Sequence, residues 1–198
     1  MQGLFYDKRY VKNIAGKGRE KMKKELYQKI EIPEGITAEI EETMLKIHGP
    51  KGNVEKRFNI NNLEFKKENN NIILGNKKAT KKEKKLMNTI ASHIKNMIKG
   101  VQEEFEYQLK ICFSHFPISV ELKDKEIIIK NFLGEKVPRK MKIPEGINIE
   151  VDKEIIKIRS ADKELAGQTA ANFETVTKIR KKDRRIFQDG IFIVNKAK

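Results

Sequence analysis

Ile32-Pro33-Glu34-Gly35-Ile36 runs on as TAEIEETMLKI to Ile47, and Ile143-Pro144-Glu145-Gly146-Ile147 runs on as NIEVDKEIIKI to Ile158. Eight of the sixteen positions are identical. Whether the two segments occupy equivalent places decides the fold. If they do, the chain repeats with an offset of 111 residues, and the next helical pattern then begins 33 residues after Ile47 but only 4 after Ile158. No single repeating unit accommodates that difference.

An offset of 82 to 83 succeeds where 111 fails, pairing Ile36 with Ile118, Met44 with Ile127, Val54 with Val137, Ile72 with Ile155 and Thr80 with Asp162. In the first copy ITAEI, MLKIHG, NVEKRF, LEFKKE and IILGN read as five short strands between Gly, Asn and Lys-rich turns. In the second the counterparts are ISVEL, IIIKNF, KVPRKM, INIEV and IIKIRS. Each copy closes with a helix. Thr80 and Glu83 have the spacing of a capping box, Leu86, Met87, Ile90, Ala91, Ile94, Met97, Ile98 and Val101 recur at helical spacing, and Gly100 supplies a stop. The second helix starts near Asp162, with Leu165, Thr169, Ala170, Phe173 and Val176 on one face.

The expected class is therefore α+β, two tandem copies of an antiparallel β-sheet covered by one α-helix. The first domain spans 30–106 and the second 107–198, with a short connection near 102–111 that predicts a rigid pair. IPEGI becomes turn chemistry, Pro fitting the second position of a type I turn and Gly the fourth. Its copies enter non-equivalent strands, the first of one unit and the fourth of the other.

The chain has 198 residues, enough for two small cores. Lys plus Arg outnumber Asp plus Glu by 43 to 28, for a net charge of +15. Residues 1–30 carry nine bases against three acids, residues 77–85 six against one, and residues 178–198 eight against two. Those stretches hold +17, so the core-forming sequence nets to −2. Localised excess of this kind points to a polyanion, because clustered cations neutralise phosphates and release counterions.

Residues 1–29 form a basic N-terminal extension, in which Phe5, Tyr6 and Tyr10 sit among Lys8, Arg9 and Lys12, followed by Lys17 and Arg19. That mixture suits stacking together with phosphate or partner contact. A flexible tail is the plainer reading. The RNA-binding candidates are Lys136, Arg139 and Lys140 around FLGEKVPRK, and Lys178, Arg180, Lys181, Lys182, Arg184 and Arg185 beyond the second helix. Such side chains give position and not base readout.

Chemistry of other kinds finds no support. Cys112 and His115 have half the spacing of a zinc site without a second pair, and His93 lies on a helix beside its core stripe. Ser114 beside His115 makes no nucleophile constellation either, since strand neighbours point to opposite faces. His48-Gly49-Pro50-Lys51-Gly52 lacks phosphate-loop spacing and sits between strands. No catalytic set, cofactor, metal or small-molecule substrate is expected. No run of about 20 apolar residues is present to span a membrane, and the first sixteen residues lack a signal-peptide core. The single Cys112 fits a reducing cytosol.

Asn88 to Val101 (NTIASHIKNMIKGV), Ser114 to Ile118 (SHFPI), Ile129 to Lys136 (IKNFLGEK) and Asp189 to Phe192 (DGIF) resemble the large-subunit ribosomal protein of the L-six family in its eukaryotic and archaeal form. The resemblance covers about residues 30–196. It implies two duplicated sheet-and-helix domains and a monomeric constituent of the cytoplasmic ribosome without enzymatic activity. Large-subunit rRNA would be bound mainly through the second domain, near the sarcin–ricin loop and the stalk base, with neighbouring ribosomal proteins as further partners. The FLGEK stretch falls on Phe132 to Lys136, and the basic segment before Asp-Gly on Lys182, Arg184 and Arg185. The extension departs from the pattern, as does Arg159-Ser160-Ala161, where relatives tend to have a Gly-Asn type turn. The alternative is an interaction module that meets a protein partner through its sheets.

Overall fold

The computed structural model describes residues 24–60, 63–183 and 185–197. The first unit consists of strands β1 (Lys24–Glu31), β2 (Thr37–Glu41), β3 (Met44–Gly49), β4 (Gly52–Arg57), β5 (Glu64–Glu68) and β6 (Asn71–Ala79), then helix α1 (Lys81–Gln102). The second repeats the order as β7 (Phe105–Cys112), β8 (Ser119–Lys123), β9 (Glu126–Lys130), β10 (Arg139–Lys142), β11 (Asn148–Asp152), β12 (Ile155–Ser160) and helix α2 (Lys163–Val176). A final strand β13 (Gly190–Asn195) has no counterpart among the described residues of the first unit.

Within each unit the strands form two small antiparallel sheets, ordered β1-β6-β5 and β2-β3-β4 in the first, β11-β12-β7-β13 and β10-β9-β8 in the second. The helix covers the apolar faces of both. Alternation does the sorting: Leu45 and Ile47 on β3 and Ile72 and Leu74 on β6 are buried against Met87, Ile90, Ile94 and Val101 of α1. In the second unit Leu109, Ile127, Ile129, Ile156, Ile158 and Ile191 meet Ala166, Ala170 and Phe173 of α2.

Six strands per unit, not five, precede each helix. The missing ones lie where the sequence suggested an extension and a connection. Residues 24–29, assigned by sequence to the extension, belong to β1, which pairs along β6 with Ile30 opposite Ile72. Residues 105–112 are β7, the central strand that joins β12 to β13. The chain therefore passes from α1 into the heart of the second sheet across Glu103 and Glu104.

At residue level the repeat slips. Leu45 and Ile47 correspond to Ile127 and Ile129, but Lys56, opposite Leu45, matches Met141, opposite Ile127. The offset is thus 82 at β3 and 85 at β4. The extra residues are taken up by the turn Phe132–Gly134, so Val137 is exposed while Val54 is buried. Ile72 likewise matches buried Ile156, and Ile155 is exposed.

Both copies of IPEGI are turns between strands, before β2 and before β11. Gly35 and Gly146 have φ of 86° and 81°, the conformation that a type II turn places at its third position. Glycine is needed at that position, not at the fourth. Ser160, at the end of β12, donates from Oγ to Gly146 O at 2.8 Å and so ties this turn to the strand that leads into α2.

Gly100 does not stop α1, which continues to Gln102. Its job is close approach. A Cβ there would lie 1.9 Å from the carbonyl oxygen of Ala161, just ahead of α2. The same joint is tied by Lys56 of β4 and His93 of α1, both of which reach the Glu164 carboxylate of α2, the histidine at 2.7 Å. Among the described residues no helix is long and apolar enough to cross a membrane.

Candidate nucleic-acid interface

The loop between α2 and β13, residues 177–189, carries most of the predicted cations, and its ends are fixed by buried polar groups. Thr177 is 3 % exposed. Its Oγ1 donates to Phe173 O at 2.9 Å and accepts from the Ile191 backbone N–H at 3.1 Å. Asp189 is 1 % exposed and accepts from the backbone N–H groups of Ser114 at 2.7 Å and His115 at 3.2 Å, and from His115 Nδ1 at 2.8 Å. Burial pushes its carboxyl up, but these donors outweigh it and hold the pKa at about 2. A charge left unpaired at this depth would cost far more than an exposed one, which is why the donors are gathered here.

Between those anchors the loop is shaped by Asp183. Its Oδ1 accepts from Arg185 N at 2.9 Å and its carbonyl accepts from Phe187 N at 3.0 Å. Phe187 packs against two of its neighbours, with the His115 ring stacked at 4.7 Å and the Lys182 ammonium 4.5 Å from its centroid. Lys178, Arg180, Lys181, Lys182 and Arg185 are exposed. Lys181 adopts φ of 56°, a left-handed residue within the tight loop.

The FLGEK turn is brought against this loop by Arg139. Its Nε and Nη2 donate to the Glu135 carboxylate at 2.8 and 2.6 Å, and its Nη1 to the carbonyls of Val176 at 2.5 Å and Lys178 at 3.4 Å. The guanidinium lies 4.2 Å from the centroid of buried Phe132. The Arg139 hydrogen bond, reinforced by its charge and that of Lys182, lowers the Glu135 pKa despite partial burial. Sequence placed Arg139 among the RNA contacts; with these donors already engaged it is a strut between turn and loop, and Lys136 is the exposed cation of that turn. Lys140 points to the other face of β10 from Arg139 and Met141. Arg139 thus ties the turn that carries Lys136 to the start of the loop at Lys178, Lys182 lies near enough to act on Glu135, and Lys140 is on the opposite face of β10 from Arg139. Arg184 and the extension residues Lys8, Arg9, Lys12, Lys17 and Arg19 lie outside the described residues.

Ser114, His115 and Asp189 come together, but not as a catalytic relay. Ser114 Oγ, at 3.0 Å, and Asp189 Oδ2, at 2.8 Å, both meet the same nitrogen, Nδ1 of His115. A relay would need them on opposite nitrogens. Ser114 and His115 lie beyond the end of β7, so the strand-neighbour argument for separating them does not hold. The shared nitrogen gives the reason instead. Among the described residues no group of three or more His, Cys, Asp or Glu is placed to hold a metal. Asp189, Thr177 and Phe187 carry the architecture of the loop. Sequence reasoning gave none of them a role, although DGIF and SHFPI were visible as blocks.

Comparison with known proteins gives the same two-unit division. A sequence model of the family described as Ribosomal protein L6 matches residues 32–104 and again 116–190. The large ribosomal subunit protein uL6 of Staphylothermus marinus is 49% identical over 172 residues, 85% of this chain and 93% of that protein. Its namesake from Methanothrix thermoacetophila is 42% identical over 175 residues, covering 88% and 99%. That from Methanosarcina mazei is 42% identical over 176 residues, covering 89% and 100%.

Proposed function

Since the chain belongs to the ribosomal protein L6 family, we propose that it is a structural constituent of the large ribosomal subunit that holds rRNA on the anchored basic loop of its second unit. The observation that carries this reading is the loop itself: exposed cations on a backbone whose two ends are fixed by buried Thr177 and Asp189. A loop backbone already held in shape leaves only the side chains of its cations to be ordered on phosphate, so the cost of shaping the loop is met before binding. The domains act as a rigid spacer, without catalysis, in the cytoplasmic ribosome near the sarcin–ricin loop and stalk base, beside neighbouring ribosomal proteins. Residues 107–198 are the main rRNA-binding domain in this reading.

A retardation assay on a large-subunit rRNA fragment across a salt series tests it. Six engaged phosphates give a slope of log affinity against log salt of roughly −4 to −5. Replacing Lys178, Arg180 and Arg185 by Gln together should make that slope shallower by about 2 to 3. A flat salt response, or a slope unchanged by the triple variant, removes the loop from the interface.

A further inference from the structure

We infer that the first unit carries a second surface for an RNA phosphate backbone, formed by the solvent face of α1 and the end of β6. Helix α1 contains Lys81, Lys82, Lys84, Lys85, Lys95 and Lys99 against a single acid, Glu83. Lys77 and Lys78 of β6 add to them. Glu83 is committed locally, accepting from the Thr80 backbone N–H at 2.8 Å and from the Thr80 hydroxyl. Among the described residues no ion pair reaches Lys77, Lys78, Lys81, Lys82, Lys84, Lys85 or Lys95. All seven are exposed.

The arrangement is directional. Lys81, Lys85, Asn88, Ser92 and Lys95 follow one another at spacings of four and three, so they lie along one line on the exposed side of the helix. At 1.5 Å per residue that line is about 21 Å long. Lys29 of β1 borders its far end, lining one groove with Asn88, Ser92 and Lys95.

Folding alone does not ask for this pattern. Four of the lysines occupy the first five residues of α1, where the positive end of the helix dipole disfavours cations, and Lys81 and Lys85 repel each other at one-turn spacing. A face meant only for solubility intersperses both signs, as β2 and β3 do with the Lys46–Glu41 pair at 3.0 Å. A single-sign field that opposes the helix's own electrostatics is relieved when a polyanion covers it.

The chemistry selects RNA backbone. A bilayer needs an apolar face beside the charge, and that face of α1 is already buried in the core through Met87, Ile90, Ile94 and Met97. No aromatic side chain lies on the line to stack on a base, so the contact reads position and not sequence. The choice of rRNA as the polyanion rests on the proposed function, but the surface is separate from the loop of the second unit. The close joint at Gly100 and Glu164 fixes the two at a set spacing.

The test replaces Lys77, Lys78, Lys81 and Lys85 together by Gln in the full chain and measures binding to intact large-subunit rRNA across salt. The expected result is a slope shallower by about 3 to 4, restored when Arg replaces the same four lysines, with unfolding temperature unchanged or raised. Slope and affinity equal to the parent would overturn the inference. The loop variant Lys178, Arg180 and Arg185 to Gln is run in parallel, so loss of either contact is read independently of the other. In whole large subunits, acetylation of Lys81 and Lys85 should be blocked and should become fast after ribonuclease digestion. Blocking that survives digestion means a protein covers the face, and acetylation that is fast from the start means nothing does; either refutes the proposal.

Discussion

In the first unit the helix that closes the core also bears the charge, whereas in the second the two tasks are divided. Helix α1 has 22 residues, six of them lysine, with its apolar side buried and its cations outward. Helix α2 has 14 residues with Lys163 against Glu164 and Glu174, and the cations stand in the loop that follows. A helix holds its side chains in place through its own hydrogen bonds and core packing, so α1 needs nothing further to present lysines. A loop has no such frame. The second unit therefore spends buried polar groups, Asp189 on the 114–115 backbone and Thr177 on Ile191, together with the Arg139 strut, to give a loop comparable order.

The largest effect that separates the units is expected at Phe173, which is fully buried under the second sheets. Phe173→Ala should cost about 3 to 5 kcal/mol from lost burial and the cavity left behind. Hydrogen exchange should then quicken in β7, β12 and β13 while β3 and β6 keep their protection. Equal loss of protection in both units would show that the joint makes them one cooperative body.

Next comes Asp189. Its carboxyl is held at about 2 against an ordinary 3.8, so it adds stability that is present above about pH 4 and is lost as pH falls toward 2. The linkage amounts to about 2 kcal/mol. Asp189→Asn should lower stability by about that much at pH 7, with the gap to the parent closing between pH 4 and 2 in denaturant titrations. A constant gap over that range would mean that the carboxylate charge does not hold the loop.

The smallest difference concerns the caps. Thr80 and Glu83 form a reciprocal box, while Asp162 caps α2 by accepting from Glu164 N alone at 2.8 Å. Either residue changed to Ala should cost about 1 kcal/mol, with Thr80→Ala the larger because it also frees Glu83. Thermal unfolding of the two variants gives the order directly.

The helix starts were legible because Thr80, Glu83 and Asp162 satisfy orphan backbone donors within three residues of themselves. The inner strands were legible because one face is buried and the apolar residues alternate. β1 was not. In KELYQKIE only Leu26 and Ile30 mark the buried face, among lysines, and the strand exists because β6, more than forty residues away, offers a ladder. Arg139 reads as a surface cation until Phe132, Glu135 and Val176 O converge on it. Leu165 fits the periodicity of α2 yet is exposed, and Ala166 beside it is buried, because the face that meets the sheets runs through Ala166, Thr169, Ala170 and Phe173, one position out of phase with Leu165.

The sequence by itself determined the duplication, the order of most strands, both helix starts and the places where charge accumulates, because each depends on neighbours a few residues apart or on composition. The tertiary structure decided the sixth strand of each unit, the role of Gly100 against Ala161, and which cations are displayed or consumed. Those outcomes depend on groups that meet only after distant segments are packed, and periodicity carries no record of such meetings.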